Sequence, residues 1–247
     1  MDGLSRRDMR RVRAALETEL STQPPRIGVV GVSGTGKSST INSMFKTTLP
    51  ISHTAACTKN FESTPMELRM TSGVAKDESV KLTIVDAPGL GEDVTADPGY
   101  LEQYRDNLPT CDVVLWVLAA RNRAVSLDQQ YLQQLSDFSS KIVFGINQID
   151  LVHPMDWSER INLPSEEMEA NIAGIVHDRT ERIQTITGAP VTVTAYSAQR
   201  GYNLEQLFTS IIGAIPETRK FIYDALKNFS FQDFIPVAAR AVLDERN

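Results

Sequence analysis

The stretch GVSGTGKS at residues 31–38 decides the fold of this chain. It matches the pattern GxxxxGK[ST] and lies between an apolar run at 27–30 and a segment of helical period at 37–45. This placement predicts a buried strand, a glycine-rich turn and a helix, in that order. Successive N–H groups of such a turn bind phosphate oxygens together with the helix N-terminus. The sequence therefore predicts a site for the phosphates of a nucleotide.

Individual residues of the turn have distinct predicted roles. The Lys37 ammonium would reach the β- and γ-phosphates, the Ser38 hydroxyl would bind Mg²⁺, and Ser39 would contact the α-phosphate. The alternative is a glycine-rich turn that matches by chance, and the flanking strand and helix argue against it. The predicted phosphate contacts are Gly34, Thr35, Gly36, Lys37, Ser38 and Ser39.

Outside this turn, short apolar runs alternate with longer segments of helical period from Arg26 to Pro216. That alternation is typical of an α/β fold with helices on both faces of the sheet. We expect six strands, mostly parallel, with one antiparallel edge strand at the alternating run 66–70, which Pro65 precedes and suits. The predicted strands are 27–30, 66–70, 80–84, 113–118, 142–146 and 191–195. Three later helices are predicted to start after Ser126, Ser165 and Asn203. The last of them is predicted to stop at Pro216.

Two segments flank this predicted domain of residues 25–216. The sequence predicts an amphipathic helix over residues 1–24 and a helical tail over residues 217–247. The first helix carries five Arg in residues 1–20, which suggests contact with a membrane surface or ribosomal RNA. Four acidic residues in the same stretch offset that charge, so we favour packing against the tail.

Composition excludes several classes of protein. The chain has 247 residues, 41% apolar and 23% charged, which is neither a collagen-like nor a disulfide-scaffold composition. The net charge of −6 argues against a nucleic-acid platform. Cys57 and Cys111 lack metal-ligand spacing and fit free thiols in a reducing compartment. We expect a cytoplasmic protein without an export signal, and a peripheral membrane association only if the first helix binds lipid.

The sequence DAPG at residues 86–89 follows the second alternating run. This is where proteins with the GxxxxGK[ST] turn carry an acidic residue beside magnesium. Asp86 would act on the metal through water, and the Gly89 N–H would contact the γ-phosphate. Taken alone, the same four residues are equally consistent with an ordinary turn after a strand.

Two further motifs, NQID at 147–150 and SAQ at 197–199, each follow a predicted strand. Ligands of open α/β sheets bind at such strand ends. A carboxylate at Asp150 can accept hydrogen bonds from both N1–H and the 2-amino group of guanine, whereas adenine has no such donor pair. Capping of a turn is the alternative, but it leaves the order of the four motifs unexplained. The predicted base contacts are Asn147, Gln148, Asp150, Ser197 and Ala198.

Together these motifs resemble those of the Era-like group of Ras-related GTPases. More narrowly, PISHTAACTK at 50–59 and the segment 103–128 are similar to prophage-associated bacterial GTPases of the YfjP and YeeP type. The resemblance implies GTP/GDP and Mg²⁺ as ligands and hydrolysis of GTP as the activity. It also implies that Thr58 closes on Mg²⁺ and the γ-phosphate in the triphosphate state, with Thr54 as the alternative.

Three positions depart from the family pattern. Gln148 replaces a lysine that lies along the guanine ring in most relatives, so we expect weaker nucleotide binding. Leu90 replaces the water-orienting glutamine of Ras-like proteins, so another group must orient water. Glu92 has the spacing of a catalytic glutamate in related tRNA-modification GTPases; the alternative is a solvated acid in a loop. Gly34 stands where those relatives carry a potassium-binding asparagine, which argues against potassium activation.

The leading hypothesis is a GTP-binding switch with slow, Mg²⁺-dependent hydrolysis, in which Lys37, Thr58, Gly89 and Glu92 take part. Stimulation by an effector of unknown identity or by nucleotide-dependent homodimerisation would order the switch segments. A P-loop ATPase or kinase is an alternative that leaves NQID and SAQ unused. A scaffold that holds nucleotide without hydrolysis is another. The composition does not support a ribosome or membrane contact.

Overall fold

The computed structural model describes residues 24–47, 60–69, 79–91, 97–121, 126–216 and 219. Almost all of the predicted N-terminal helix and C-terminal tail lie outside these residues. Arg219 is the exception in the tail. Its guanidinium Nε donates to Asp112 Oδ1 at 3.0 Å, just before the strand that begins at Val113.

A six-stranded sheet forms the centre of the described chain. Its spatial order is β2-β3-β1-β4-β5-β8, and all neighbours are parallel except β2 and β3. Antiparallel β2 lies at the edge, as predicted, and contains Pro65. A separate two-stranded sheet pairs β6 with β7. The strands are β1 (Arg26–Val30), β2 (Glu62–Arg69), β3 (Ser79–Asp86), β4 (Val113–Ala119), β5 (Ile142–Asn147), β6 (Trp157–Ser158), β7 (Leu163–Pro164) and β8 (Val193–Ala195).

Five α-helices connect the described strands, together with short 3₁₀ segments. The helices are α1 (Lys37–Phe45), α2 (Asp97–Asn107), α3 (Ser126–Gln134), α4 (Glu166–Thr187) and α5 (Leu204–Gly213). Helix α4 begins as its sequence predicts, because the Ser165 hydroxyl accepts a hydrogen bond from the Met168 N–H. It ends at Gly188, whose φ of 66° continues the chain away from the helix.

Apolar layers cover both faces of the sheet. Along β4, alternate residues belong to different layers: Val113, Leu115 and Val117 to one, and Val114, Trp116 and Leu118 to the other. The first layer packs against α1 and α5. The second packs against α2, α3 and α4. The predicted α/β class with helices on both faces is confirmed.

Several predicted boundaries were wrong by a few residues, and strand β2 begins at Glu62 rather than at Met66. Strand β8 begins at Val193 rather than Val191, although the Thr192 carbonyl still accepts a bond from the Phe144 N–H at 3.1 Å. Helix α3 ends at Gln134, although the apolar residues at helical spacing continue to Phe138, because the Leu135 N–H is shared between two carbonyls and a tighter 3₁₀ segment follows. Helix α5 ends at Gly213, before Pro216, since the Ala214 N–H turns back to the Ile211 and Ile212 carbonyls.

The topology determines where a ligand can bind. Strand β1 lies between β3 and β4, and the chain leaves it towards β2 and β3 on one side and reaches β4 on the other. The crevice beyond the carboxyl end of β1 is the switch point at which open α/β sheets bind ligands. Among the described residues, no helix combines the length and apolar character needed to span a bilayer.

Candidate nucleotide-binding site

The predicted site motifs converge at the carboxyl ends of the parallel strands. GVSGTGKS follows β1, DAPG begins at the last residue of β3, NQID begins at the last residue of β5, and SAQ follows β8 with one residue between. Parallel strands bring their carboxyl ends to one edge of the sheet, so these loops become neighbours. The roles that follow from this arrangement are developed as proposals below.

The glycine-rich turn curls tightly ahead of α1. Gly36 has a φ of 89°, in the left-handed region, and α1 begins at the next residue. A Cβ at Gly36 would lie 2.4 Å from Asn147 Nδ2, so no side chain fits there. This close approach brings the backbone of the glycine-rich turn, residues 31–38, against the NQID motif. We call this turn the phosphate loop below.

The Lys37 side chain folds back onto the start of the glycine-rich turn and is 8% exposed. Its ammonium donates to the carbonyls of Gly31 at 3.1 Å and Val32 at 3.3 Å. Thr35 is also buried and donates through its hydroxyl to the Val32 carbonyl at 2.9 Å. The lysine is thereby positioned beside the loop amides. Gly34 is exposed, whereas Ser39 is half-buried in the first turn of α1.

Ser38 and Asp86 come together from different elements. Ser38 Oγ, in the first turn of α1, donates to Asp86 Oδ2, at the end of β3, over 3.4 Å. A hydroxyl and a carboxylate are the oxygen donors that Mg²⁺ prefers. The pair therefore fits the predicted metal position beside the phosphate loop.

The DAPG loop packs directly on the phosphate loop. A Cβ at Gly89 would lie 2.9 Å from both Cα and Cβ of Ser33, so the glycine permits this close contact. Leu90 is fully buried, and its carbonyl accepts a bond from the Ser33 N–H at 2.8 Å. Leu90 therefore serves packing between the two loops, consistent with its predicted inability to orient water.

Asn147 joins the base motif to the phosphate loop. Its Nδ2 donates to the Thr35 carbonyl at 3.0 Å, and its Oδ1 accepts from the Ala198 N–H at 3.0 Å. Gln148, with a φ of 64°, donates through Nε2 to the Gly34 carbonyl at 2.9 Å. The amide side chains of NQID therefore contact two other motifs of the site.

Asp150 is held by Ser197. The serine hydroxyl donates to Asp150 Oδ1 at 2.6 Å and accepts from the Arg200 N–H at 3.0 Å. A carboxylate has about four acceptor positions. The bond from Ser197 thus orients Asp150 while leaving it able to accept further hydrogen bonds.

The β6–β7 hairpin supports the loop after β8, an interaction that the sequence did not predict. Trp157 packs edge-on against Tyr202 at 5.1 Å and donates to Asn162 Oδ1 at 3.0 Å. Asn162 in turn donates to the Arg200 carbonyl at 3.1 Å, and Arg200 pairs with Glu159. Trp157 therefore anchors this hairpin and supports the loop that contains Ser197.

Thr58 and Glu92 fall outside the described residues, as does the alternative Thr54. The missed contributor is Tyr104 on α2, whose hydroxyl donates to the Pro88 carbonyl at 2.7 Å. Leu101, Tyr104 and Leu108 have the spacing of one helix face, which was an available signal for α2. No local pattern indicates that Tyr104 reaches the DAPG loop.

Burial perturbs two groups near these loops. Tyr196, fully buried, shares a hydrogen bond of 2.7 Å with Thr40 Oγ1, and burial raises the pKa of its phenol. Burial also raises the pKa of Asp128, on α3, to about 6, although the Trp116 indole donates to it and the charges of Arg179 and Lys37 oppose the shift. Both groups are therefore uncharged over a wider pH range than usual.

The sheet order and the phosphate loop define a P-loop GTPase fold. Residues 26–148 match a family described as 50S ribosome-binding GTPase. The structure is similar to that of Era in complex with MgGDPNP and 16S ribosomal RNA, with a TM-score of 0.55 and 21% identity over 78% of this chain and 57% of that one. A dimerization-deficient mutant of Toc33 from Arabidopsis thaliana gives a TM-score of 0.57 and 18% identity over 84% and 90% of the two chains.

Two proteins of Escherichia coli K12 have similar sequences. YfjP of Escherichia coli K12 is 34% identical over 158 residues, which are 63% of this chain and 51% of YfjP. YkfA of the same organism is 28% identical over 176 residues, which are 70% of this chain and 58% of YkfA. This chain thus spans between half and three fifths of the length of these curated relatives. Residues 26–148 therefore form a P-loop GTPase domain, and the likeness to Era is one of fold.

Proposed function

We propose that this chain binds GTP and GDP and hydrolyses GTP slowly to GDP and phosphate in the presence of Mg²⁺. The observation that carries the proposal is the double contact of Asn147, which donates to the Thr35 carbonyl and accepts from the Ala198 N–H, each at 3.0 Å. One side chain thereby sets the distance between the phosphate loop and the SAQ loop. A pocket of set length suits a ligand with a purine at one end and phosphates at the other.

Asp150 is the residue proposed to select guanine. Guanine presents two adjacent N–H donors, which a carboxylate can accept together. The 2.6 Å bond from Ser197 holds the carboxylate in one orientation before the base arrives. A site built to accept these donors rejects a base without them, because the acceptors would then be buried without partners. Gln148 would cover the ring through its aliphatic carbons.

Lys37 and the backbone of residues 34–36 are proposed to bind the phosphates, with Ser39 at the α-phosphate. Ser38 and Asp86 are proposed to hold Mg²⁺, directly and through water respectively, because their oxygens lie 3.4 Å apart beside the loop. When bound, the metal supplies positive charge to the phosphate oxygens. Thr58 is proposed as a further metal ligand in the triphosphate state.

Slow turnover follows from the groups around the γ-phosphate. Water attacks this phosphate in line with the leaving oxygen, and the Lys37 ammonium and loop amides stabilise the developing charge. Leu90 is fully buried and has no group that can orient the water. We assign water positioning to Glu92 and expect intrinsic rates on the order of 10⁻⁴ to 10⁻² per second.

Faster turnover would require a partner or a second copy of the chain that places Thr58 and Glu92 at the γ-phosphate. Era is complexed with 16S ribosomal RNA in its solved structure, but the net charge of −6 of this chain does not favour a similar contact. A homodimer is the form of stimulation we favour. Sedimentation of the protein with GDP and with a non-hydrolysable GTP analogue tests it, and equal masses would contradict nucleotide-dependent dimerisation.

Calorimetric titration with GDP, a GTP analogue and ADP tests the proposed ligand. We expect guanosine nucleotides to bind at least about 100-fold more tightly than ADP, given the cost of unpaired polar groups in the base site. Comparable ADP binding would instead favour a P-loop ATPase or kinase. Single-turnover assays with GTP and Mg²⁺ then separate a slow hydrolase from a scaffold, which would bind GTP and release no phosphate.

A further inference from the structure

The loop from Ala87 to Leu90 is held at its ends by backbone bonds. The Ala87 N–H donates to the Val29 carbonyl at 3.2 Å, and the Leu90 N–H donates to the Gly31 carbonyl at 3.4 Å. Between these points lies the peptide that joins Pro88 to Gly89. Its carbonyl, that of Pro88, accepts a hydrogen bond from a side chain of another element.

That side chain is Tyr104 of helix α2. Its hydroxyl donates to the Pro88 carbonyl at 2.7 Å, and the residue is fully buried. Its ring packs edge-on against Phe61 at 5.0 Å, with an interplanar angle of 79°. Burial shields the bond from competing water, and the ring contact restricts the side chain, so the hydroxyl is well placed to hold one orientation of this peptide.

The geometry of a peptide transfers this restraint to Gly89. The bond between Pro88 and Gly89 is trans and planar, so the Pro88 carbonyl and the Gly89 N–H point in opposite directions. We propose that Tyr104 is a positioning residue for the γ-phosphate: by binding the Pro88 carbonyl it aims the Gly89 N–H at that phosphate. This inference rests on the proposed function, in which Gly89 N–H contacts the γ-phosphate.

Tyr104 should therefore affect the binding of GTP but not that of GDP. GDP lacks the γ-phosphate, so the orientation of the Gly89 N–H does not affect its binding. GTP gains a hydrogen bond to a charged group only if that N–H is already oriented. A tyrosine that served packing alone would influence both nucleotides equally.

The test uses Tyr104→Phe in the full chain, which keeps the ring and removes the hydroxyl. We expect affinity for a non-hydrolysable GTP analogue to fall about fivefold to tenfold, the effect of one oriented hydrogen bond, while GDP affinity changes less than twofold. The single-turnover rate with saturating GTP should fall by a similar factor. Affinities are measured by calorimetry at the same Mg²⁺ concentration.

Tyr196→Phe is the matched control. Tyr196 is also a fully buried tyrosine with a 2.7 Å hydroxyl bond, but its partner is Thr40 on α1. We expect this variant to lose stability to a similar degree and to keep the wild-type ratio of GTP-analogue to GDP affinity. A shifted ratio in Tyr196→Phe would overturn the assignment, because any lost buried hydroxyl would then suffice.

Phe61→Leu provides a second measurement should Tyr104→Phe not fold. It keeps the Tyr104 hydroxyl but removes its aromatic neighbour, so we expect a selective loss of about twofold to threefold for the GTP analogue. Equal losses for GDP and the analogue, or none for either, in the variant tested would overturn the inference. Wild-type protein that does not bind guanosine nucleotides would overturn the proposed function as well, which distinguishes the two failures.

Discussion

The base end and the phosphate end of the pocket differ in what holds their binding groups in place. At the base end, side chains do so: Ser197 orients Asp150, and Asn147 binds the Ala198 N–H. At the phosphate end, backbone contacts dominate, as in the bond from the Ser33 N–H to the Leu90 carbonyl. The proposed specificity for guanine therefore depends on a few side chains that single substitutions remove. The proposed phosphate binding depends on a backbone shape that substitutions change mainly where a glycine is required, as at Gly36 and Gly89.

Lys37 is the exception at the phosphate end, and removing it should have the largest effect. We expect Lys37→Met to lower the single-turnover rate of GTP hydrolysis about 10²-fold to 10³-fold, because the ammonium stabilises charge that develops in the transition state. The ratio of GDP to ADP affinity should stay at the wild-type value. A variant that hydrolyses GTP normally, or that loses base selectivity, would break the division between the two ends.

Asp150→Asn is the corresponding change at the base end. The new amide presents a donor where guanine also presents donors, and it can instead donate to the 2-oxygen of xanthine. We expect GDP affinity to fall about 100-fold and xanthosine diphosphate to become the better ligand. Competition between the two diphosphates measures the switch, and unchanged GDP affinity would show that Asp150 does not contact the base.

Ser197→Ala tests orientation rather than contact. It removes the 2.6 Å bond to Asp150 and the acceptor of the Arg200 N–H. We expect affinities for GDP and for a GTP analogue to fall together, about tenfold, because the base site serves both. Ser210→Ala is the control, since Ser210 bonds to Thr194 on β8 at 3.1 Å and should leave affinity unchanged. A loss confined to the triphosphate would contradict this division.

Asp128 lies outside both ends and should affect stability more than binding. Burial raises the pKa of Asp128 in the folded chain to about 6 from its ordinary value of 3.8, so the folded chain binds the proton more tightly than the unfolded chain. The stabilisation that comes from protonated Asp128 is complete below about pH 4 and is lost as pH rises towards 6. The free energy of unfolding changes by at most about 3 kcal/mol over this range.

The test is denaturant unfolding of Asp128→Asn and wild type at pH 4.5 and pH 7. The asparagine can still accept from the Trp116 indole but does not titrate, so the variant should gain stability relative to wild type as pH rises. Its GDP affinity should stay within about twofold. A stability difference that is the same at both pH values would contradict the raised pKa of Asp128.

Sequence reasoning was most accurate where a pattern is local. Helix α1 covers residues 37–45 as predicted, and continuous apolar runs identified β4 and β5, because strands buried on both faces carry few polar residues. Helix α2 and the short β6–β7 hairpin were missed. Both elements are packed in place by contacts between residues far apart in the chain, such as Phe61 with Tyr104 and Trp157 with Tyr202.

The candidate site divides in the same way. Sequence alone led to the proposal of which residues bear the chemistry, because Asp150, Lys37 and Ser38 belong to motifs whose residue types match the groups of a guanine nucleotide. Tertiary structure decided how these residues are held, since the bonds from Ser197 to Asp150 and from Tyr104 to Pro88 each cross between elements. Chemical identity is a property of the residue itself, whereas orientation arises only when distant segments pack together.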